Sequence, residues 1–234
     1  MSLLVPPRRP SHELLDDPSL SSEEMTGSLA DIAALDRQWG GSRILARWLL
    51  GRRALQTSRR ARVLDVGAGS GEPSRRLRRG LAEGGVAADV FALDLQWRHL
   101  AAGARAEPDG PLPALAANAL RLPLADASVD WVVSTLFLHH FTPEELASLL
   151  TEIGRVARHG FALLDLRRHV LPLAFVSVAG RFLFRTRTSR LDGLASIRQA
   201  YTRQELAAIA AREWRAAEVR RIFPYRLLLT AERS

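Results

Sequence analysis

Cysteine is absent from this 234-residue chain, which removes disulfide scaffolds, cysteine zinc sites and cysteine nucleophiles together. Lysine is absent too: all 33 basic residues are arginine. A phosphate loop needs a lysine after its last glycine, so that reading is weakened. The N-terminus (MSLLVPPRRPSHELLDD) lacks the charged start, apolar run and small-residue cleavage site of a signal peptide, and a cytoplasmic location is the expectation. The nearly all-apolar stretch 169–184 is too short and too interrupted to cross a bilayer. The chain has no internal repeat and no low-complexity tract.

What is present suffices for a folded core. Apolar residues make up 47% of the chain, and the length suits one compact domain with extra segments. The formal charge of +8 raises the question of a polyanionic partner. The arginines are scattered, however, mostly beside acidic or apolar helix positions, with no basic strip interleaved with aromatics. They read as solvated helix faces, and no nucleic-acid partner is expected.

Residues 1–25 form an irregular lead-in rich in Pro, Ser and Asp, expected to be mobile at its start. Apolar residues from Leu29 to Leu49 recur at helical spacing, so 26–56 predicts two short helices joined at Gly40-Gly41. Strands and helices then alternate. Arg62–Val66 reads as a buried strand, Glu72 to about Glu83 as a helix, Ala87–Asp94 as a strand, and Gln96 to about Ala106 as a helix. Pro113–Ala117 is a weaker strand and Val129–Ser134 a strong one. Thr142-Pro143-Glu144-Glu145 carries a capping box and a first-turn proline, opening a helix to about Arg158 that Gly160 closes. Phe161–Leu166 is a fifth strand. A second capping box, Thr202 to Glu205, opens a helix to about Arg212, and two strands around Pro224 read as an antiparallel pair. Such alternation means a mostly parallel sheet covered on both faces.

The segment Val63-Leu64-Asp65-Val66-Gly67-Ala68-Gly69-Ser70-Gly71 carries the most chemistry. A strand ends, three glycines alternate, and a helix begins. Glycine lets the backbone turn sharply and lets a ligand lie against it, while the helix start presents free N–H groups. Dinucleotide loops space their glycines G-x-G-x-x-G; here the spacing is G-x-G-x-G, followed by Glu72. A carboxylate there opposes a pyrophosphate. Asp65, inside the first strand, is costly to bury unless paired, and a ligand amine is one partner. Asp94, at the tip of the second strand, can accept both hydroxyl protons of a ribose. The pattern points to a cationic, phosphate-free nucleoside.

VLDVGAGSG together with the strand end ALD resembles the first two motifs of class I S-adenosylmethionine-dependent methyltransferases. NALRLPLADASVDWVVSTLFLHHF and EIGRVARHGFALLDL are similar to the later motifs, in order. The match runs from about Arg62 to Leu166, and its pattern is closest to the quinone-biosynthesis and small-molecule branch. The resemblance implies a Rossmann-like, doubly wound α/β fold of seven strands, mostly parallel with one antiparallel edge strand. Residues 1–60 would form a lead-in and helical cap, and 61–234 the catalytic domain, with a helical lid insert at about 168–201. Gly67, Ala68, Gly69 and Gly71 would lie against the methionine and ribose, with Asp65 near the amine. Asp94 would hold the ribose hydroxyls, with Leu95 against the adenine. Asn118, where the family usually carries Asp, would meet the adenine edge beside Ala119, and Ser134 the methionine end.

The acceptor side is less constrained. His139 and His140 follow the fourth strand, where ligands bind in open α/β sheets. Either suits a base for a phenol, and either can instead cap the next helix or fill space. Trp39 and Arg43 are candidates to fold over the cofactor, against ordinary packing and solvent. No metal is expected. The apolar stretch 169–184, followed by Arg185, Arg187 and Arg190, has three readings: a lid over an apolar acceptor, an ordinary buried helix, or a segment in peripheral contact with a membrane. The turn Asp192-Gly193 would separate it from a short helix at 196–201. The expected activity is O-methylation of a phenolic, polyketide or quinone-precursor hydroxyl. C-methylation of a quinone-type ring and non-catalytic cofactor binding are the alternatives.

Overall fold

The protein is described by a computed structural model covering residues 4–104 and 112–233. Three helices come first: α1 (Ser22–Trp39), α2 (Gly41–Leu50) and α3 (Arg53–Gln56). The Ser21 hydroxyl caps α1 by accepting from the Glu24 N–H, and Gly40, left-handed at φ 67°, turns the chain into α2. The bend therefore sits where the glycine pair predicts it, although α1 starts four residues earlier than the periodicity suggested.

Strands and helices then alternate: β1 (Ala61–Val66), α4 (Glu72–Glu83), β2 (Ala88–Asp94), α5 (Trp97–Ala104), β3 (Ala114–Ala116), β4 (Val129–Thr135), α6 (Pro143–Val156) and β5 (Ala157–Leu166). The expected end of α5 near Ala106 lies outside the described residues. The order across the sheet is β3-β2-β1-β4-β5-β7-β6, with β6 (Glu218–Ile222) and β7 (Arg226–Glu232) as the closing hairpin. β7 runs against all its neighbours and lies one place in from the edge, between β5 and β6. Side chains alternate across the sheet. Leu64 and Val66 of β1 point into a core shared with α6 and α9 (Arg203–Glu213), and Val63 into one shared with α2 and α4.

Two readings of the chain need correction. Gly160 does not end α6. The helix stops at Val156, Ala157 turns directly into β5, and Gly160 lies inside that strand at φ 147°. A Cβ there would sit 2.1 Å from the Ala231 carbonyl oxygen, so the glycine serves the close approach of β7. Asp192-Gly193 is not a turn either: it lies within a continuous helix α8 (Arg187–Gln199), entered from α7 (Val170–Leu183). The Asp192 carboxylate accepts from the Leu14 and Leu15 N–H groups at 2.8 and 2.9 Å, a long-range partner that overrides the local turn preference of Asp-Gly.

Candidate active site

The chain reverses direction between β1 and β4, where successive connections leave to opposite sides of the sheet, and the crevice at such a point is where open α/β sheets bind ligands. A cavity of about 360 Å³ opens there. Its floor is the β1–α4 loop. Gly67, Gly69 and Gly71 all adopt positive φ, at 69°, 54° and 72°. Gly67 is also sterically required, since a Cβ would fall 2.3 Å from the Phe137 ring. Asp94 pins this loop: one carboxylate oxygen accepts from the Gly69 N–H at 2.7 Å and the other from the Gln96 N–H at 2.8 Å. Leu95, an exposed leucine, and the pair Asn118 and Ala119 line the same end. The Asn118 side-chain oxygen accepts from the Leu120 N–H at 2.8 Å, which leaves its NH2 group for a ligand.

Gly67, Ala68, Gly69, Asp94, Leu95, Asn118, Ala119, His139 and His140 thus come together around one cavity. Three expected residues do not line it. Gly71 begins α4 and packs against Leu112. Ser134 is buried one residue short of the opening, and Thr135, on the alternate face of β4, takes its place. Asp65 sits behind the glycine loop. One of its oxygens accepts from the Ser74 hydroxyl at 2.5 Å and the other is a buried oxygen without a partner. Burial pushes its carboxyl up to about 7 against that hydrogen bond. Trp39 and Arg43 are exposed and do not line the cavity.

The opposite wall holds what the sequence did not announce. The described part of the lead-in is strapped across the site, while the start expected to be mobile lies at residues outside the described ones. Arg8 donates to the Gln199 and Phe141 carbonyls at 2.6 and 2.7 Å and stacks on Tyr201, while Arg98 donates to the Pro18 carbonyl at 2.7 Å. This places Glu13, Leu15 and Asp16 over the cavity, facing α1 and α8. The lining carries five carboxylates (Glu13, Asp16, Asp31, Asp94 and Asp192) and not one of the chain's 33 arginines, among the described residues.

The two histidines occupy different electrostatic positions. His139 is buried with both ring nitrogens engaged: Nδ1 lies 2.7 Å from the Asp165 carboxylate and Nε2 lies 3.3 Å from Glu13. Asp165 also accepts the His139 backbone N–H at 2.7 Å. Burial disfavours the imidazolium, but the two carboxylates outweigh it and push His139 up to about 10. Its two carboxylate partners thus favour the protonated ring, with both nitrogens engaged. Glu13 answers in kind. Burial would raise it, yet its hydrogen bond to His139 and that residue's charge hold it down to about 2. His140 stacks on His139 at 4.5 Å between ring centroids. Burial and the charge of His139 keep it below the usual histidine range, so it is neutral, with Glu13 and Asp16 each 3.7 Å from a ring nitrogen. Glu13, His139 and His140 bring candidate ligand atoms within 4.8 Å of one another; here those of Glu13 and His139 are spent on one another.

Replacing His139 with alanine strands Asp165 and Glu13 as buried charges and is expected to lower stability by on the order of 3 kcal/mol. The sign with pH follows from the raised value. The His139 contribution is complete below about 6.5 and is lost as pH rises through about 10, whereas that of Glu13 holds above about 4.5 and is lost as pH falls through about 2. Thermal unfolding should therefore show the wild type losing stability from neutral pH to pH 10, and His139→Gln should flatten that slope.

Residues 64–164 match the family described as methyltransferase domain. The match covers 101 of the chain's 234 residues. Over 141 residues it is 35% identical to the demethylmenaquinone methyltransferase of Beutenbergia cavernae, covering 60% of this chain and 55% of that protein. The chain thus spans about half the length of this curated relative. Its fold is shared with a SAM-dependent methyltransferase from Aquifex aeolicus at a TM-score of 0.60 and 17% identity, covering 88% of this chain and 97% of that one. The plantazolicin methyltransferase BpumL, solved with S-adenosylhomocysteine, superposes at a TM-score of 0.63 and 11% identity over 90% of this chain and 96% of its own. These neighbours establish the class I methyltransferase fold, a seven-stranded sheet with helices around it. The matched segment, residues 64–164, supplies the glycine loop, Asp94, Asn118 and the two histidines; the N-terminal strap and α8, both outside it, complete the cavity.

Proposed function

We propose that this chain transfers a methyl group from S-adenosylmethionine to a hydroxyl of a small, largely apolar phenolic, polyketide or quinone-precursor acceptor. The observation that carries the cofactor reading is the charge of the cavity. Among the described residues, this chain of net charge +8 lines the glycine-floored crevice with five carboxylates and no arginine, His139 being paired with Glu13 and Asp165. That lining disfavours a pyrophosphate and favours a cationic sulfonium with its ammonium group. Asp94 fits the ribose diol, because each of its oxygens keeps a lone pair after accepting from the loop. The Asn118 NH2 group would donate to an adenine ring nitrogen, whereas an aspartate would accept from the exocyclic amino group. Asp65 braces the loop from behind through Ser74.

The cofactor supplies a methyl group already made electrophilic by positive sulfur. The chain must align the acceptor oxygen, exclude water and take its proton. Leu29, Ile32, Phe137, Phe141 and Phe184 give the cavity an apolar wall, which suits an aromatic acceptor. His140, neutral and at that wall, takes the phenolic proton. His139 is a positioning residue that holds His140 by stacking and keeps it unprotonated by charge. C-methylation remains the second reading, favoured by the name of the Beutenbergia relative.

Calorimetric titration tests the cofactor reading. S-adenosylhomocysteine should bind saturably with one site per chain, and NADH and ATP should not compete. A chain that binds NADH and ignores S-adenosylhomocysteine would overturn it. Mass and NMR analysis of product from a panel of phenols and naphthoquinols then separates O- from C-methylation.

A further inference from the structure

We propose that α7 and the β6–β7 turn form a docking face for an anionic lipid bilayer, with the helix lying in the plane of the interface. α7 spans Val170–Leu183, yet Gly180 is its one buried residue. Leu171, Phe175, Val178 and Phe182 recur at spacings of four, three and four, so they share one face of the helix. That face is open: Leu171 and Phe175 are 53% exposed, Val178 76% and Phe182 77%. The opposite face is the one that packs, with Val176 beside Gly193 and Gly180 against the Arg190 stem of α8. A soluble surface helix has its apolar stripe inward; this one also presents apolar side chains outward.

The patch continues onto the hairpin. His169, whose Nδ1 caps α7 by accepting from the Leu171 N–H at 3.1 Å, packs its ring 4.9 Å from Tyr225. Two residues before Tyr225 stands Phe223, 86% exposed in the turn between β6 and β7. Helix and turn therefore present large apolar side chains from adjoining elements.

Charge selects the occupant. From Arg167 to Leu191 there is no aspartate or glutamate, and there are six arginines. Arg168 is buried and paired with Glu205, but Arg181, Arg185, Arg187 and Arg190 are exposed. Exposed apolar residues rimmed by arginine match a surface of anionic headgroups over acyl chains. A second copy of the same face would set arginine against arginine across a two-fold axis. No helix among the described residues is long and apolar enough to cross a membrane, so the contact is peripheral. Phe184, the residue after α7, lines the cavity. On the methyltransfer reading this places the acceptor's entrance beside the bilayer and points to an acceptor dissolved in lipid; the docking itself does not depend on that reading.

Vesicle co-sedimentation of the full chain tests the docking. The protein should sediment with phosphatidylcholine vesicles containing phosphatidylglycerol, far less with phosphatidylcholine alone, and be released at about 1 M salt, where screening is nearly complete. The triple variant Val178→Ser, Phe182→Ser, Phe223→Ser removes exposed side chains only. It should retain its circular dichroism and S-adenosylhomocysteine affinity while losing roughly tenfold or more in vesicle partition. Arg181→Gln with Arg185→Gln should erode the preference for anionic vesicles. Equal partition of wild type and triple variant overturns the proposal, as does failure of the wild type to bind anionic vesicles. A wild-type dimer in light scattering that the triple variant abolishes also overturns it, because the face would then cover a second copy. If S-adenosylhomocysteine does not bind but vesicles do, the methyltransfer reading fails and the docking stands.

Discussion

His140→Ala lowers kcat by about 10²–10⁴-fold, the usual contribution of a positioned general base, while S-adenosylhomocysteine affinity stays within a few fold of wild type. The expectation rests on the contrast between neighbours. His139 is held as a cation near 10 by Asp165 and Glu13, so it has no lone pair to offer. His140, pushed down by burial and by that cation, lines the cavity flanked by carboxylates able to steady the imidazolium it becomes. The groups facing it are Glu13, Asp16, His139 and Asp165. The rate should rise with pH through a midpoint below the ordinary 6.5 and be flat at neutrality. His140→Gln should keep the packing and lose the rate. A variant that methylates a phenol as fast as wild type removes His140 from the chemistry, and the acceptor is then one that ionises without help.

Asp94→Ala has the largest expected effect on binding. On the proposed cofactor reading it would remove the acceptor for two ribose hydroxyls, each such charge-assisted hydrogen bond being worth about 1.5–3 kcal/mol, and so cost roughly 10²–10⁴-fold in Kd. It also orphans the Gly69 N–H of the glycine loop and the Gln96 N–H just before α5. Gly69→Val should match it by another route. No neighbour crowds that position, for the nearest atom to an added Cβ is Leu29 at 3.6 Å, but φ of 54° penalises a branched side chain and the new methyls would enter the cavity. Isothermal titration with S-adenosylhomocysteine reads both. An Asp94→Ala variant that binds within threefold of wild type would mean that the carboxylate serves the loop alone.

The legible parts of this protein are those whose cause lies within a few residues. Both capping boxes, Thr142 with Glu145 and Thr202 with Glu205, form as read, because a cap and its partner are three residues apart. The strand–glycine–helix unit follows from Val63–Gly71 for the same reason. Gly160 shows the limit: a glycine at a plausible helix end is there for a strand that arrives seventy residues later. Asp192 shows it again, bound to the backbone of Leu14 and Leu15 across 178 and 177 residues rather than turning its own chain.

By itself the sequence determined the sheet of alternating strands and helices, the glycine loop between the first strand and its helix, and the acid at the second strand tip, since hydrophobic period, positive-φ glycine and strand-end placement are local properties. Only the tertiary structure set the two neighbouring histidines apart, one between two carboxylates and the other stacked on it. Glu13, in a lead-in without periodicity, has to be carried 126 residues along the chain to meet His139, and a pKa depends on distance and desolvation that no spacing encodes. It also decided that the apolar stretch after β5 faces outward, because a helix with apolar residues on every side does not say which of them its neighbours will cover.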